Sequence, residues 1–209
     1  TVARVRHCAA SDPRLRLLHN AGPPGAAGAR NTAIDQARGR WLAFLDADDL
    51  WAPRKLALQL ALARESGAAL VYSAYDLIDA AGRPLGRARV VPASVDHGEL
   101  LKCNVIGCLT AVLDRAQIAD ARMPLIRQRQ DWALWLRVLR ETGRPALAVP
   151  EVLASLRLHP GSLSANKLRS SWYNVLMQVR CEQVSIPRAL LNAGRHALRS
   201  RRGWRRTPV

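Results

Sequence analysis

Residues 39–51 read Gly-Arg-Trp-Leu-Ala-Phe-Leu-Asp-Ala-Asp-Asp-Leu-Trp. The run 41–45 is short, uncharged and aromatic-rich, and Gly39 closes whatever precedes it. Such a run is expected to be a fully buried strand, of the kind found in the middle of a parallel sheet. It ends in three carboxylates, Asp46, Asp48 and Asp49. In extended chain, alternate residues point the same way, so Asp46 and Asp48 can face one point. In an open α/β sheet that point lies in the crevice beyond the carboxyl ends of the strands, where ligands bind. Two hard oxygen donors converging there suit Mg2+ or Mn2+, with a substrate phosphate completing the shell. The alternative is a solvated loop whose Asp caps the helix that Pro53 begins, and Asp49 fits that role as well.

The flanking sequence alternates between helical and strand signals. A helix is expected over 1–10, with Val2, Val5 and Ala9 on one side, then a strand at 15–18. A Pro/Gly loop over 20–28 leads into a helix at 29–38, for which Gly39 is the C-cap. A glycine-rich entry to a helix can hold phosphate on free N–H groups, although this spacing matches neither a Walker loop nor a dinucleotide fingerprint. Beyond the acidic loop, a helix over 53–65 turns Leu56, Leu60 and Ala63 to the core, and 69–75 is a second buried strand. Residues 83–95 read as loop with an edge strand. A short helix at 97–103, a strand at 110–113, a short helix at 115–121 and a basic linker at 123–129 follow. Asp131 opens a helix to Glu141 whose apolar stripe is Trp132, Trp135, Leu136 and Leu139. Strands at 146–149 and 152–158 precede a small-residue loop at 159–166, a helix to Val184 that Asn166 caps, and a basic helix from Pro187. This alternation predicts an α/β fold with a mostly parallel sheet flanked by helices.

With 49% hydrophobic and 23% charged residues, the chain can build a core. No apolar run reaches the length of a membrane span, and the residues contain no signal peptide. Four cysteines scattered without metal-ligand spacing are expected to be reduced thiols in a cytoplasmic protein. The net charge of +16 is uneven: residues 151–209 carry 11 of the 32 basic and 2 of the 16 acidic side chains. Part of it follows from an Arg-, Ala- and Gly-rich composition. Its concentration at the C-terminus suits an anionic partner, a membrane surface before nucleic acid. The helix from Pro187 sets Ile186, Leu190, Leu191, Ala197 and Leu198 on one side and Arg188, Arg195, Arg199 and Arg202 on another. That pattern fits either an amphipathic membrane-surface helix or a packing helix with a solvated basic face.

In chain order the motifs are Ala29-Arg30-Asn31, Gly39, the buried run with Asp46-Ala47-Asp48-Asp49, then Arg129-Gln130-Asp131-Trp132, then Arg157-Leu158-His159-Pro160-Gly161-Ser162. This series resembles the family 2 glycosyltransferases of GT-A fold. The resemblance implies a GT-A-like domain over 1–165 and C-terminal basic helices over 166–209. It implies that Asp46 and Asp48 hold Mn2+ or Mg2+ on the diphosphate of a nucleotide-sugar, with Asp49 at a family position too. It makes Asp131 the catalytic base, though an Asp there is also a good helix N-cap. Arg129 and Gln130 are candidate substrate contacts. Arg30 resembles the arginine that reaches the nucleotide, against the alternative of a solvated face, while Asn31 is expected to stabilise backbone locally. His159, held extended by Pro160, and Ser162 belong to a loop expected to close over the donor.

The resemblance further implies inverting sugar transfer from a UDP-linked donor to a glycan or lipid-linked acceptor, in surface polysaccharide synthesis at the inner face of the cytoplasmic membrane. One departure stands out. The strand, helix and acidic-tipped strand with which such enzymes begin have no counterpart in this sequence, which starts inside the following helix. The expectation is a fragment, a truncated gene product or a protein that has lost part of the nucleotide pocket. Weak or no transfer by the isolated chain, and an exposed sheet edge favouring poor solubility or dimerisation, follow from it. Competing readings are an inactive remnant that binds nucleotide or membrane, and a basic nucleic-acid-binding protein.

Overall fold

A computed structural model describes residues 2–158 and 167–206. In chain order the elements are α1 (Val2–Ser11), α2 (Ala26–Gln36), β1 (Trp41–Ala43), β2 (Leu50–Trp51), α3 (Lys55–Ser66), β3 (Leu70–Ile78), β4 (Pro84–Arg89), β5 (Ser94–Val95), α4 (His97–Lys102), β6 (Val112–Asp114), α5 (Gln130–Thr142), β7 (Ala146–Arg157), α6 (Lys167–Glu182), α7 (Ile186–Arg202) and β8 (Trp204–Arg206). One-turn 3-10 helices cover Cys108–Thr110 and Arg115–Gln117.

The sheet is organised on β3, the long apolar run Leu-Val-Tyr-Ser-Ala-Tyr-Asp-Leu-Ile. One edge of β3 pairs in parallel with β7. The other edge is shared, by β6 near Leu70 and Val71 and by β4 near Tyr75 and Asp76, both antiparallel. β1 extends the sheet beyond β6, and β8 extends it beyond β4. The helix-flanked α/β sheet is as expected, but its pairing is mixed: among the described residues, β3 with β7 is the one parallel pair. β1 also differs from the strand expected at 41–45. It is three residues long, it pairs with β6 alone among the described residues, and Leu45 is exposed. Leu42 and Phe44 are buried, and the Phe44 ring meets Trp135 at 5.8 Å.

α5 supplies the largest part of the core. Trp132, Trp135, Leu136 and Leu139 are buried as the periodicity requires, and so are Leu134 and Val138, so the helix is enclosed almost all round. Each large apolar side chain removed from water there contributes on the order of 1.5–3 kcal/mol. α3 is turned by about one position from its expected phase. It buries Lys55, Gln59 and Ala63 and leaves Leu56 exposed. Two polar contacts hold that phase: Gln59 Nε2 donates to the Thr110 carbonyl at 2.8 Å, and Lys55 Nζ sits 4.3 Å above the Trp51 ring.

Other differences have local causes. Residues 15–18 form no strand; Arg16 there donates to the Gln36 carbonyl. β7 runs unbroken through Pro150, its register with β3 shifting around Ser73 to Tyr75. The loop with one edge strand expected over 83–95 holds two strands, β4 and β5. The C-terminal helices pack on each other, α7 also lies against α4, and β8 joins the sheet edge at β4.

Candidate active site

The glycine-rich loop sets the position of α2. Gly25, at φ 114°, lies in a region L-residues rarely adopt. A side chain on Gly28 would begin 1.9 Å from the Pro23 carbonyl oxygen, so the loop can fold back on the helix only over a glycine. The helix then carries Arg30 to the acidic loop, where its guanidinium donates to Asp46 Oδ1 at 2.6 Å. The Arg30 side chain is 18% exposed, which rules out the solvated-face alternative. Asn31 acts at long range: its amide donates to the Met123 carbonyl and accepts the Met123 N–H, at 2.9 and 2.7 Å.

The acidic residues lie in a turn rather than in extended chain. The Asp49 N–H donates to the Asp46 carbonyl at 3.1 Å, so the alternation argument that paired Asp46 with Asp48 does not apply. Both residues are exposed. Asp49 is buried, and it does not cap α3, whose N-cap is Arg54. Its carboxylate accepts the backbone N–H of Arg157 at 2.9 Å. Burial, with repulsion from Asp48 and Asp46 added, pushes its pKa up to about 6 against that hydrogen bond. Arg157 is a positioning residue that the motif contained but that was not singled out. Its Nε donates to the Asp48 carbonyl at 2.6 Å, and its Nη1 donates to the carbonyls of Asp79 and Ala80 at 2.9 and 3.0 Å. One guanidinium thus ties the acidic turn to the end of β7 and to the turn after β3.

Asp131 is the second residue of α5 and not its cap; the cap position is Arg129, held at φ 69°. Gln130 is buried. Asp131 and the acidic turn share a neighbourhood. The Cys108 thiol is pushed up by burial first, then by the charges of Asp131, Asp46 and Asp49, with Arg30 opposing. Tyr75 is pushed up chiefly by burial, with Asp49 and Asp131 adding to it against Arg89. Asp46, Asp49 and Asp131, from two parts of the chain, thus all lie within electrostatic reach of Cys108, and Arg30 is ion-paired to Asp46. A cavity of about 240 Å3 opens at Asp131 and is lined also by Tyr75, Arg89, Arg129, His196 and Trp204. A cleft of about 390 Å3 runs along β1 and α2 between Arg30, Trp41 and Asp46. His159 and Ser162 lie outside the described residues.

The donor set fits a hard cation held jointly with a substrate. Asp46 and Asp48 are exposed carboxylates on one turn, and Mg2+ or Mn2+ on a diphosphate needs only one or two protein carboxylates, with phosphate and water oxygens filling the shell. Among the described residues no group of three or more His, Cys, Asp or Glu forms an all-protein metal cage.

Residues 1–116 match the family model described as glycosyl transferase family 2. TuaG of Bacillus subtilis, whose name assigns it to teichuronic acid biosynthesis, is 40% identical over 77% of this chain and 63% of its own length. WfgD of Escherichia coli, a UDP-Glc:alpha-D-GlcNAc-diphosphoundecaprenol beta-1,3-glucosyltransferase, is 36% identical over 76% of the chain and 62% of its own length. The chain thus spans a little under two thirds of these curated relatives. Among solved structures, the mannosyltransferase PcManGT from Pyrobaculum calidifontis, in complex with GDP-Man and Mn2+, superposes with TM-score 0.63 at 19% identity, covering 93% of this chain and 60% of that one. TarS 1-349 from S. aureus, in complex with UDP-GlcNAc, gives TM-score 0.61 at 15% identity over 91% of this chain and 58% of that one. The chain belongs to glycosyl transferase family 2 and has the GT-A fold.

Proposed function

We propose that the chain is the catalytic part of a metal-dependent, inverting glycosyltransferase. It would move a sugar from a UDP-linked donor to a sugar carried on a lipid diphosphate, in the assembly of a surface polysaccharide. The observation that carries this reading is the ion pair of Arg30 with Asp46 on the acidic turn, with Asp131 within electrostatic reach of the same Cys108 thiol as Asp46 and Asp49. The acceptor class comes from the E. coli relatives named for GlcNAc-diphosphoundecaprenol.

Asp46 and Asp48 would hold Mn2+ or Mg2+ against the donor diphosphate. The cation, when bound, offsets the charge that develops on the departing nucleotide. Arg30 holds the Asp46 carboxylate in place at 2.6 Å and sets a positive charge beside the diphosphate. Arg157 fixes the turn through the Asp48 carbonyl. Asp131 acts on the acceptor side, accepting the proton of the attacking hydroxyl. The new bond forms between that oxygen and the anomeric carbon, and the sugar–phosphate bond breaks on the opposite face. The electron pair leaves with the nucleoside diphosphate, and the anomeric configuration inverts. Gln130, buried at the start of α5, supports the placement of Asp131.

No helix among the described residues is long and apolar enough to cross a membrane. α7 nevertheless packs through Ala189, Asn192 and Ala193 and leaves Ile186, Leu190, Leu191 and Leu198 exposed beside Arg188 and Arg195. An exposed apolar stripe bordered by arginines suits the surface of an anionic membrane, where a lipid-linked acceptor resides, on the cytoplasmic side where nucleotide-sugars are made.

Calorimetry of UDP-sugar binding tests the donor half of this reading. Binding should require Mn2+ or Mg2+ and be lost when Asp46→Asn is combined with Asp48→Asn. Equal binding with the metal chelated, and in the double variant, would reject the donor site.

A further inference from the structure

The cavity at Asp131 is built by segments distant in sequence: Tyr75 of β3, Arg89 of β4, Arg129 and Asp131 at the start of α5, His196 of α7 and Trp204 of β8. Its polar groups are incompletely paired. Arg129 Nε and His196 Nδ1 are both buried and have no hydrogen-bond partner, and buried polar atoms left this way in a folded protein call for a missing partner. Arg129 also stands at φ 69°, a conformation that a non-glycine residue holds only when its surroundings enforce it, and one found often at ligand sites.

The remaining groups are placed for a ring and an anion. His196 stacks on Trp132 at 5.2 Å between centroids, which fixes its ring plane. Burial, reinforced by the positive charges of Arg129 and Arg89, pulls its pKa down to about 4, so the ring is neutral at pH 7 and can donate from one nitrogen. Trp204 meets Tyr75 edge-on at 5.8 Å and is flanked by the Arg87 and Arg89 guanidiniums at 5.3 and 5.8 Å from its ring. Arg89 is further anchored by donating to the Ser200 carbonyl, so it serves more as wall than as ligand. Arg129 is the cation left with unused donor capacity, two residues from the candidate base. An uncharged sugar acceptor would leave that capacity unused. A sugar with a diphosphate at its reducing end would not, because the phosphates sit one ring away from the hydroxyl that attacks.

We propose that this cavity is the acceptor's glycosyl-diphosphate subsite, with Arg129 and His196 donating to the phosphate oxygens and Trp204 covering the sugar ring. The proposal rests on the transferase reading above and adds the residues that recognise the acceptor. Selectivity for a diphosphate-linked acceptor then comes from charge-assisted hydrogen bonds to Arg129 rather than from the lipid.

The test compares two probes by calorimetry, in the presence of UDP and Mn2+: N-acetylglucosaminyl diphosphate bearing a short alkyl chain, and the same alkyl N-acetylglucosaminide without the diphosphate. The wild-type chain should bind the diphosphate probe at least roughly tenfold more tightly. Arg129→Gln and His196→Gln should each shrink that preference to about twofold or less, while Arg129→Lys keeps part of it through its charge. UDP affinity in Mn2+ and the melting temperature, read on each variant, show that the fold and the donor site persist. Equal binding of the two probes, no binding of either, or a preference that survives in both Gln variants overturns the subsite. If UDP fails to bind the wild-type chain while the diphosphate preference is present, the donor reading fails and the subsite stands.

Discussion

Replacing Arg157 with Met removes the guanidinium contacts that tie the acidic turn to the turn after β3. Three side-chain hydrogen bonds are lost: Nε to the Asp48 carbonyl at 2.6 Å, and Nη1 to the Asp79 and Ala80 carbonyls at 2.9 and 3.0 Å. The backbone N–H that serves Asp49 is kept in any such variant, so the effect isolates the guanidinium. Hydrogen bonds from a charged group contribute about 1.5–3 kcal/mol each. Arg157 is half-buried, so water replaces part of what is lost, and a total near 2–3 kcal/mol is expected. For a chain of this size that lowers the melting temperature by roughly 4–10 °C. The freed turn no longer presents Asp46 and Asp48 in one arrangement, so Mn2+-dependent UDP affinity should fall by about tenfold. Arg157→Lys keeps the charge without the planar fork and should recover less than half of either loss. Differential scanning fluorimetry and calorimetry read both quantities. A melting temperature within about a degree of wild type, with unchanged UDP affinity, would show that Arg157 does not hold the turn.

Lys55→Met should raise stability. Burial alone pulls the Lys55 pKa down to about 8, so below pH 8 the folded state carries a poorly solvated charge that the unfolded state carries freely. That penalty is relieved as pH rises from 8 to 10.5, because the folded chain releases its proton first; at pH 7 the substitution should add about 1–3 kcal/mol, and a lower melting temperature would show that the contact of Nζ with the Trp51 ring outweighs the cost of burial. His196 gives an acid sensitivity of defined sign. Its folded pKa of about 4 lies below the ordinary 6.5, so between those values the unfolded chain binds more protons and stability falls with falling pH, by up to about 3 kcal/mol. In His196→Leu the urea midpoint should be flatter between pH 6.5 and 4; an unchanged slope would place the sensitivity elsewhere.

The apolar stripe of α5 was legible in the sequence because it is local and needs no knowledge of the rest of the chain. The order of the motifs carried the family and hence the fold. What the sequence concealed is what other segments decide. Whether Asp49 caps a helix depends on the backbone of Arg157, 108 residues away, which claims it instead. The phase of α3 depends on the Thr110 carbonyl and the Trp51 ring, which hold Gln59 and Lys55 inward at the expense of Leu56. β8, three residues long and two of them arginines, carries no strand signal of its own and forms because β4 offers an edge. The cavity at Asp131 is likewise a product of topology, since His196 and Trp204 reach it only once α7 and β8 have docked.

In the proposed mechanism Asp131 takes the proton of the acceptor hydroxyl, and the turn at Asp46 and Asp48 holds the donor. Turnover and UDP-sugar affinity measured on one preparation of Asp131→Asn test it. Turnover should fall by roughly 10²–10⁴-fold, the worth of a positioned general base, while the donor dissociation constant changes by less than about threefold. Turnover that persists near the wild-type rate, or donor binding lost in step with it, would contradict the role of Asp131 as the base.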